Sequence, residues 1–445
     1  MKRAIVVGSG AGGATAAREL QGAYAVTVLE AGRQFRPFSL GLPLLEKVRS
    51  TGLLFDEREI QILFPAMQIR KVHDGMVLVN GIGLGGTTTL SAGNALRMDA
   101  DLKALGIDLD AEFAEIAREI PIGTEHQGRW RKTTRRLFEI CQEMGLDPRP
   151  TPKMVDAGRC VSCGRCVMGC PYGAKWDSRR FLRAAVEAGA ELIVGCRVER
   201  VVVEDGEAIG VEARSGLAHR FYPADLVVLA AGGLSTPAIL GRSGVECEPG
   251  LFVDPVLCVA TEWGGSQQCR EMTMPFVVQR ERFILSPYFD YLSFFFNRAW
   301  KHPARNTLAL MVKLADSCAG SVAPNGKIAK VLTDRDREGL TEGVELCREV
   351  LGRLGVMQDA TYLGTINAGH PGGTLPLTAR EADTLHDRRL PENVYVADAS
   401  LLPRSLGNPP ILTIVALAKR IARICREAAQ SGGLGRVDTS ACGLG

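Results

Sequence analysis

Four cysteines fall within eleven residues: Cys160, Cys163, Cys166 and Cys170, with Pro171 directly after the last. The spacing C-x2-C-x2-C-x3-C-P lets one loop wrap the corners of a cubane [4Fe-4S] cluster, and the small residues between the cysteines relieve crowding. Zinc is the rival occupant, since four thiolates also suit it. Zinc ligands, however, are usually split into two C-x2-C pairs with a longer gap. A remote cysteine could replace Cys170 as the fourth ligand, because the fourth cysteine of such a run can serve a second cluster. Only one run exists here, so the local four are the expected ligands.

A second chemical signal lies at 4–30. A short apolar run at 4–7 enters Gly8-Ser9-Gly10-Ala11-Gly12-Gly13. A helix-forming run at 14–20 follows, then an apolar run at 25–29 that ends on Glu30. Gly8, Gly10 and Gly13 fit G-x-G-x-x-G. Gly8 permits the tight turn, Gly10 admits a pyrophosphate to the backbone, and Gly13 lets the helix close on the strand. The helix N-terminus favours the anion, and Glu30 stands where an acid can bond ribose hydroxyls. No second strand–GxGxxG–helix unit appears, so a separate NAD(P)H domain is not expected.

Elements must hold these two sites. The chain has 445 residues, 46% hydrophobic and 23% charged, with 50 glycines. That is ordinary globular composition with an excess of turns and close backbone approaches, and it excludes disordered and fibrous classes. Net charge is +3, too balanced for a nucleic-acid binder. No apolar run is long enough to span a bilayer. The opening Met-Lys-Arg passes straight into a strand, so the expected location is the cytoplasm. Of thirteen cysteines, the nine outside the run are scattered singly and read as small buried hydrophobes. Residues 198–203 and 208–213 read as a hairpin, with Val198 assigned to the cofactor. Residues 335–354 read as a surface helix whose apolar side carries Leu340, Val344, Leu346, Val350 and Leu351. Residues 276–300 hold nine aromatics, from Phe276 and Phe283 to Trp300.

Further motifs give these pieces a family. Glu30-Ala31-Gly32 resembles FAD enzymes more than NAD enzymes. Near the middle of the first third runs Gly83-Leu84-Gly85-Gly86-Thr87, followed by Gly93-Asn94. A strand at 224–231 leads into Gly232-Gly233-Leu234-Ser235-Thr236-Pro237. Later come Gly369-His370-Pro371-Gly372-Gly373-Thr374, then Tyr395-Val396-Ala397-Asp398, then Gly407-Asn408-Pro409-Pro410 and a helix at 412–426. In order and spacing these resemble the glucose–methanol–choline (GMC) oxidoreductases. The resemblance implies an α/β fold, with a Rossmann-like FAD domain assembled from discontinuous segments, an α+β substrate domain and an iron–sulfur insertion. The expected division is 1–97, 191–247 and 366–430 for the FAD domain, 98–190 for a helical segment with the cysteine loop, 248–365 for the substrate domain, and 431–445 for a tail.

The resemblance also implies roles. Gly85, Gly86 and Thr87 would lie against the flavin, Asn94 would also contact the cofactor, and Asp398 would approach its linker. His370 and Asn408 match the catalytic pair. A histidine titrating near neutrality can take the hydroxyl proton while the flavin takes the hydride. Of six histidines, only His370 sits in such a motif. No histidine flanks the Gly85–Gly86 turn, so FAD is expected without a covalent tether.

The combined expectation is an FAD- and [4Fe-4S]-dependent dehydrogenase oxidising an alcohol, apolar or alicyclic given the aromatic segment. Electrons would leave singly through the cluster to an acceptor protein: a ferredoxin, a flavodoxin or another redox subunit. Thirteen Lys and Arg against five Asp and Glu between 129 and 183 could steer an acidic carrier, or could simply balance the cluster and FAD phosphates. The alternatives are an NAD(P)H- or ferredoxin-linked reductase running in the reducing direction, or an electron-relay subunit of a larger complex.

Overall fold

Five short apolar runs form one all-parallel sheet. In space they stand in the order Val394–Val396, Leu226–Leu229, Arg3–Val7, Ala25–Glu30 and Glu191–Val194. Parallel strands are covered on both faces, so they read as continuous runs of Val, Leu and Ile rather than as alternation. The computed structural model describes residues 1–38 and 64–431, with Leu44, Glu46, Lys47 and Asp56 between them. From residue 432 onward the expected tail lies outside the described residues.

The helix Ala11–Glu19 begins inside the glycine turn, three residues earlier than the sequence pattern suggests. Its small residues let it lie close to the sheet and to the long C-terminal helix Ile411–Ser431. Gly8 has φ +95°, a conformation that favours glycine. A Cβ on Gly13 would lie 2.0 Å from the Gly8 carbonyl oxygen, and one on Gly12 would lie 1.6 Å from that of Ala397.

Among the described residues, the second sheet has nine strands and is mostly antiparallel. Val256–Glu262, Thr307–Leu314, Phe283–Pro287 and Phe276–Gln279 run side by side at its centre. Side chains alternate between its faces, as the pleat requires. Leu308, Leu310, Val312 and Leu314 join the core on one face, with Leu340, Val344, Val350 and Leu351 of the helix Asp334–Leu354. Gly339 and Gly343 allow that helix to lie against Leu314 and Val312. A Thr333–Asp336 capping box fixes its start. Ala309 and Met311 belong to the opposite face. Phe276 and Phe283 lie on the helix-facing side, whereas Phe289, Phe294 and Trp300 fill the other.

Strands from the flanking segments extend this sheet. Met67–Lys71 and Val77–Gly81, inside the expected 1–97 segment, pair there and not in the parallel sheet. Asn367–Ala368 pairs in parallel with residues 77 and 78. The expected hairpin is present, with a third strand: Cys196–Glu204, Glu207–Ser215 and Ala218–Pro223. Residues 98–190 carry four helices and the cysteine loop. Among the described residues, no helix is long and apolar enough to cross a membrane.

Candidate active site

A cavity of about 360 Å³ runs between the two sheets. Gly8, Gly10, Glu30, Gly86, Thr87, Asn94, Val198 and Asp398 line it, and so does His370. Gly13 and Gly85 do not. Gly13 acts from behind, by letting the helix close on Gly8. Gly85, at φ +92°, donates its N–H to the Ser9 hydroxyl at 3.2 Å, which ties the second glycine turn to the first.

The dinucleotide end is built from the chain's own hydrogen bonds. Glu30 accepts from Ser9 N (3.0 Å), the Ser9 hydroxyl (2.6 Å) and Gly32 N (2.8 Å). A carboxylate has about four lone-pair sites, so the Glu30 carboxylate keeps capacity for a ribose. Asp398 accepts from Gly232 N at 2.8 Å, from the Thr236 hydroxyl, and from Ser400 N at 2.9 Å. It therefore fixes the 232–236 turn on the cavity wall. A Cβ on Gly10 would meet nothing within 4 Å, so that backbone is open to a ligand. These residues fit a dinucleotide laid along the turn with its pyrophosphate at the helix N-terminus.

At the other end His370 has a partner that the sequence motifs did not reveal. Its Nδ1 lies 3.2 Å from Asp254 Oδ2. Lys313 Nζ lies 2.5 Å from the same oxygen, and the Ser405 hydroxyl donates to Oδ1. Asp254 has φ +53°, and its backbone N–H donates to Asp316 at 2.8 Å. Asp316 is in turn paired with Lys330 at 2.7 Å. Two buried ion pairs thus hold Asp254 in place. Burial alone would push its carboxyl up, but Lys313 and His370 outweigh burial and hold it below the usual range. Burial, and then the Lys313 charge, push His370 below its ordinary value against the pull of Asp254. The downward shift favours the neutral imidazole, with Nδ1 engaged by Asp254.

Asn408 was expected to pair with His370 in catalysis. It is fully buried and does not line the cavity, although its successors Pro409 and Pro410 do. Its Nδ2 donates to Gln279 Oε1 at 3.1 Å, and its Oδ1 is buried without a partner. Asp254 and Lys313 do line the cavity. One signal was available for Lys313: it is a lone cation in TLALMVKL, a strand that is otherwise apolar apart from Thr307.

Much of the remaining wall is apolar, with Phe38, Phe64, Leu90, Met168, Tyr291 and Phe295, while Gln68, Arg70, Asn80, Arg197 and Asn367 add polar groups. Asp290 interrupts it. Burial pushes its carboxyl up to about 6, against hydrogen bonds from Ser293, Leu292 and Asn367.

Met168 brings the cysteine loop to the cavity. Cys160, Cys163, Cys166 and Cys170 line one adjoining space of about 20 Å³, with Met272 and Lys175. The described cysteines are all free thiols. Among the described residues, no group of three or more His, Cys, Asp or Glu side chains is arranged as a metal-ligand set. Burial pushes Lys153 down to about 7 and Lys175 down to about 8, and Cys166 is the foremost charge opposing it at both.

Comparisons with known proteins agree with this architecture. Residues 3–253 match the family model for GMC oxidoreductases. An uncharacterised GMC-type oxidoreductase of Mycobacterium tuberculosis is 30% identical over 94% of this chain and 75% of its own length. A long-chain-alcohol oxidase of Arabidopsis thaliana is 24% identical over 95% of this chain and 67% of its own. The crystal structure of pyridoxine 4-oxidase from Mesorbium loti superposes with a TM-score of 0.71 at 17% identity, covering 95% and 99% of the two chains. The parallel sheet, the glycine turn with its acid and the family match over more than half the sequence agree: the chain belongs to the GMC oxidoreductase family and is an FAD-dependent oxidoreductase.

Proposed function

We propose that the protein oxidises the C–OH group of an apolar alcohol, with His370 as the base. The observation that carries this reading is His370 at the cavity, with its Nδ1 held by Asp254. A bound FAD supplies the hydride acceptor. His370 Nε2 takes the hydroxyl proton, and the Asp254 carboxylate stabilises the imidazolium that results. Lys313 keeps Asp254 ionised. The aromatic and methionine wall excludes water and favours an apolar body on the alcohol. The long-chain-alcohol oxidase among the relatives is in keeping with that substrate class.

The proposal includes a [4Fe-4S] cluster on Cys160, Cys163, Cys166 and Cys170. Its support is the spacing of the run and the common space the four side chains line. A cluster there would supply one-electron exchange with an acceptor protein, which makes the enzyme a dehydrogenase. A second reading, an oxidase that passes electrons to oxygen, is favoured by the oxidase names among relatives.

The test starts with anaerobically purified protein, its absorbance spectrum, and iron and acid-labile sulfide assays. Apolar alcohols are then screened for anaerobic bleaching of the flavin, in wild type and in His370→Ala. Bleaching in wild type, slowed about 10²–10⁴-fold in a fully flavin-loaded variant, supports the base assignment. Equal bleaching in both removes His370 from the chemistry. Rapid hydrogen peroxide production without sulfide would select the oxidase.

A further inference from the structure

Two lysines near the cofactor cavity and the cysteine loop are buried and, among the described residues, pair with no carboxylate. Lys153 is 1% exposed and Lys175 is 3% exposed. Among the described residues, neither makes an ion pair. Lys175 Nζ donates to the carbonyls of Thr88 (3.2 Å), Thr89 (2.8 Å), Ser91 (2.7 Å) and Cys166 (3.0 Å). Lys153 Nζ donates to Asn94 Oδ1 and to the carbonyls of Thr273 (2.5 Å) and Ala92 (3.4 Å). Asp177, whose charge also reaches Lys175, is paired with Arg179 at 2.8 Å.

A buried ammonium without an anion is costly, so each of these lysines keeps its charge only where negative charge stands close by. Lys175 lines the space shared by the four thiols. Four thiolates on a core of charge two plus make a dianion, which two ammonium groups balance. Lys175 also has a mechanical place. Thr88 and Thr89 belong to the turn Gly86–Leu90 on the cofactor cavity, whereas Cys166 opens the turn Cys166–Met168 of the cysteine loop. One side chain therefore ties the flavin turn to the cysteine turn.

We infer that Lys153 and Lys175 are the built-in counter-charges of a thiolate-bound centre in the cysteine loop, and that Lys175 also seats this centre against the flavin turn. This rests on the four-cysteine reading above. Reducing the centre adds one negative charge, so removing a neighbouring positive charge makes reduction harder.

The test is a spectroelectrochemical titration of anaerobically purified wild type, Lys175→Met, Lys153→Met and Lys175→Arg, with iron, sulfide and flavin counted in each. In each methionine variant, the ratio of reduced to oxidised cluster at a fixed potential should fall about tenfold, equivalent to about 59 mV for one electron. Lys175→Arg should return it toward wild type. Wild-type potentials in both methionine variants, with iron and flavin retained, would overturn the inference and leave the cluster standing. Wild type without iron and sulfide would remove the cluster reading itself. Should the methionine variants not fold, cluster-free wild type decides. It should melt at a lower temperature, because its lysines have lost their anion, and an unchanged melting temperature sinks the proposal.

Discussion

His370 Nδ1 and Asp254 Oδ2 stand 3.2 Å apart, although 116 positions separate them in the chain. That contact selects the tautomer. With Nδ1 donating to the carboxylate, Nε2 carries the lone pair that a base requires. Asp254→Asn keeps the shape and tolerates the positive φ, since Asn is enriched there. We expect kcat to fall by about 10²-fold or more, with KM little changed. The variant also strands Lys313, at a cost of about 3–5 kcal/mol in stability. Adding Lys313→Met should recover most of that stability and none of the activity. Thermal unfolding and steady-state kinetics on both variants separate the two effects.

The pH profile has a defined sign. His370 holds its proton less firmly in the fold than its ordinary 6.5, first because it is buried and then because of Lys313. The acid limb of kcat/KM should therefore lie below pH 6.5, with a plateau at neutrality. The same group contributes stability that is complete above its unfolded value and is lost as pH falls through the folded one. Lys313→Met leaves Asp254 as the dominant neighbour, so the limb should move up by about one unit or more. A limb that stays in place would mean that another group sets it.

Two glycines of one motif should fail differently. Gly10→Ala meets open space, so the melting temperature of flavin-free protein should hold while flavin affinity drops about tenfold. Gly13→Ala drives a methyl into the Gly8 carbonyl, which cannot yield as a side chain can. It should cost about 1–3 kcal/mol or more and lower the yield of folded protein. Equal stability losses in both variants would contradict the geometry of the turn.

Asn408 offers a direct comparison with His370. Buried against Gln279 and off the cavity wall, it should act on stability more than on turnover. Asn408→Ala is expected to cost about 1–3 kcal/mol and to lower kcat far less than His370→Ala does. A loss matching that of His370→Ala would restore the two as a catalytic pair.

Local signals in the sequence were strong wherever neighbouring residues do one job. The turn at 8–13, the strand ending at Glu30 and the helix Asp334–Leu354 each lie within a few turns of chain. Spacing there encodes geometry directly. The motif around His370 was legible for the same reason, and its residue does reach the cavity. Tertiary structure decided what depends on distant partners. Asp254, Lys313 and Ser405 meet at one carboxylate from three separate segments. Strands Met67–Lys71 and Asn367–Ala368 join a sheet whose centre lies elsewhere in the chain. The motif carrying Asn408 was readable, but its direction depended on Gln279 across the fold. The charge of Lys175 was visible, but not that its burial bridges the turn Gly86–Leu90 and the turn Cys166–Met168. Sequence spacing sets which side chains share a local turn or face; packing and the satisfaction of buried charge decide which distant ones meet.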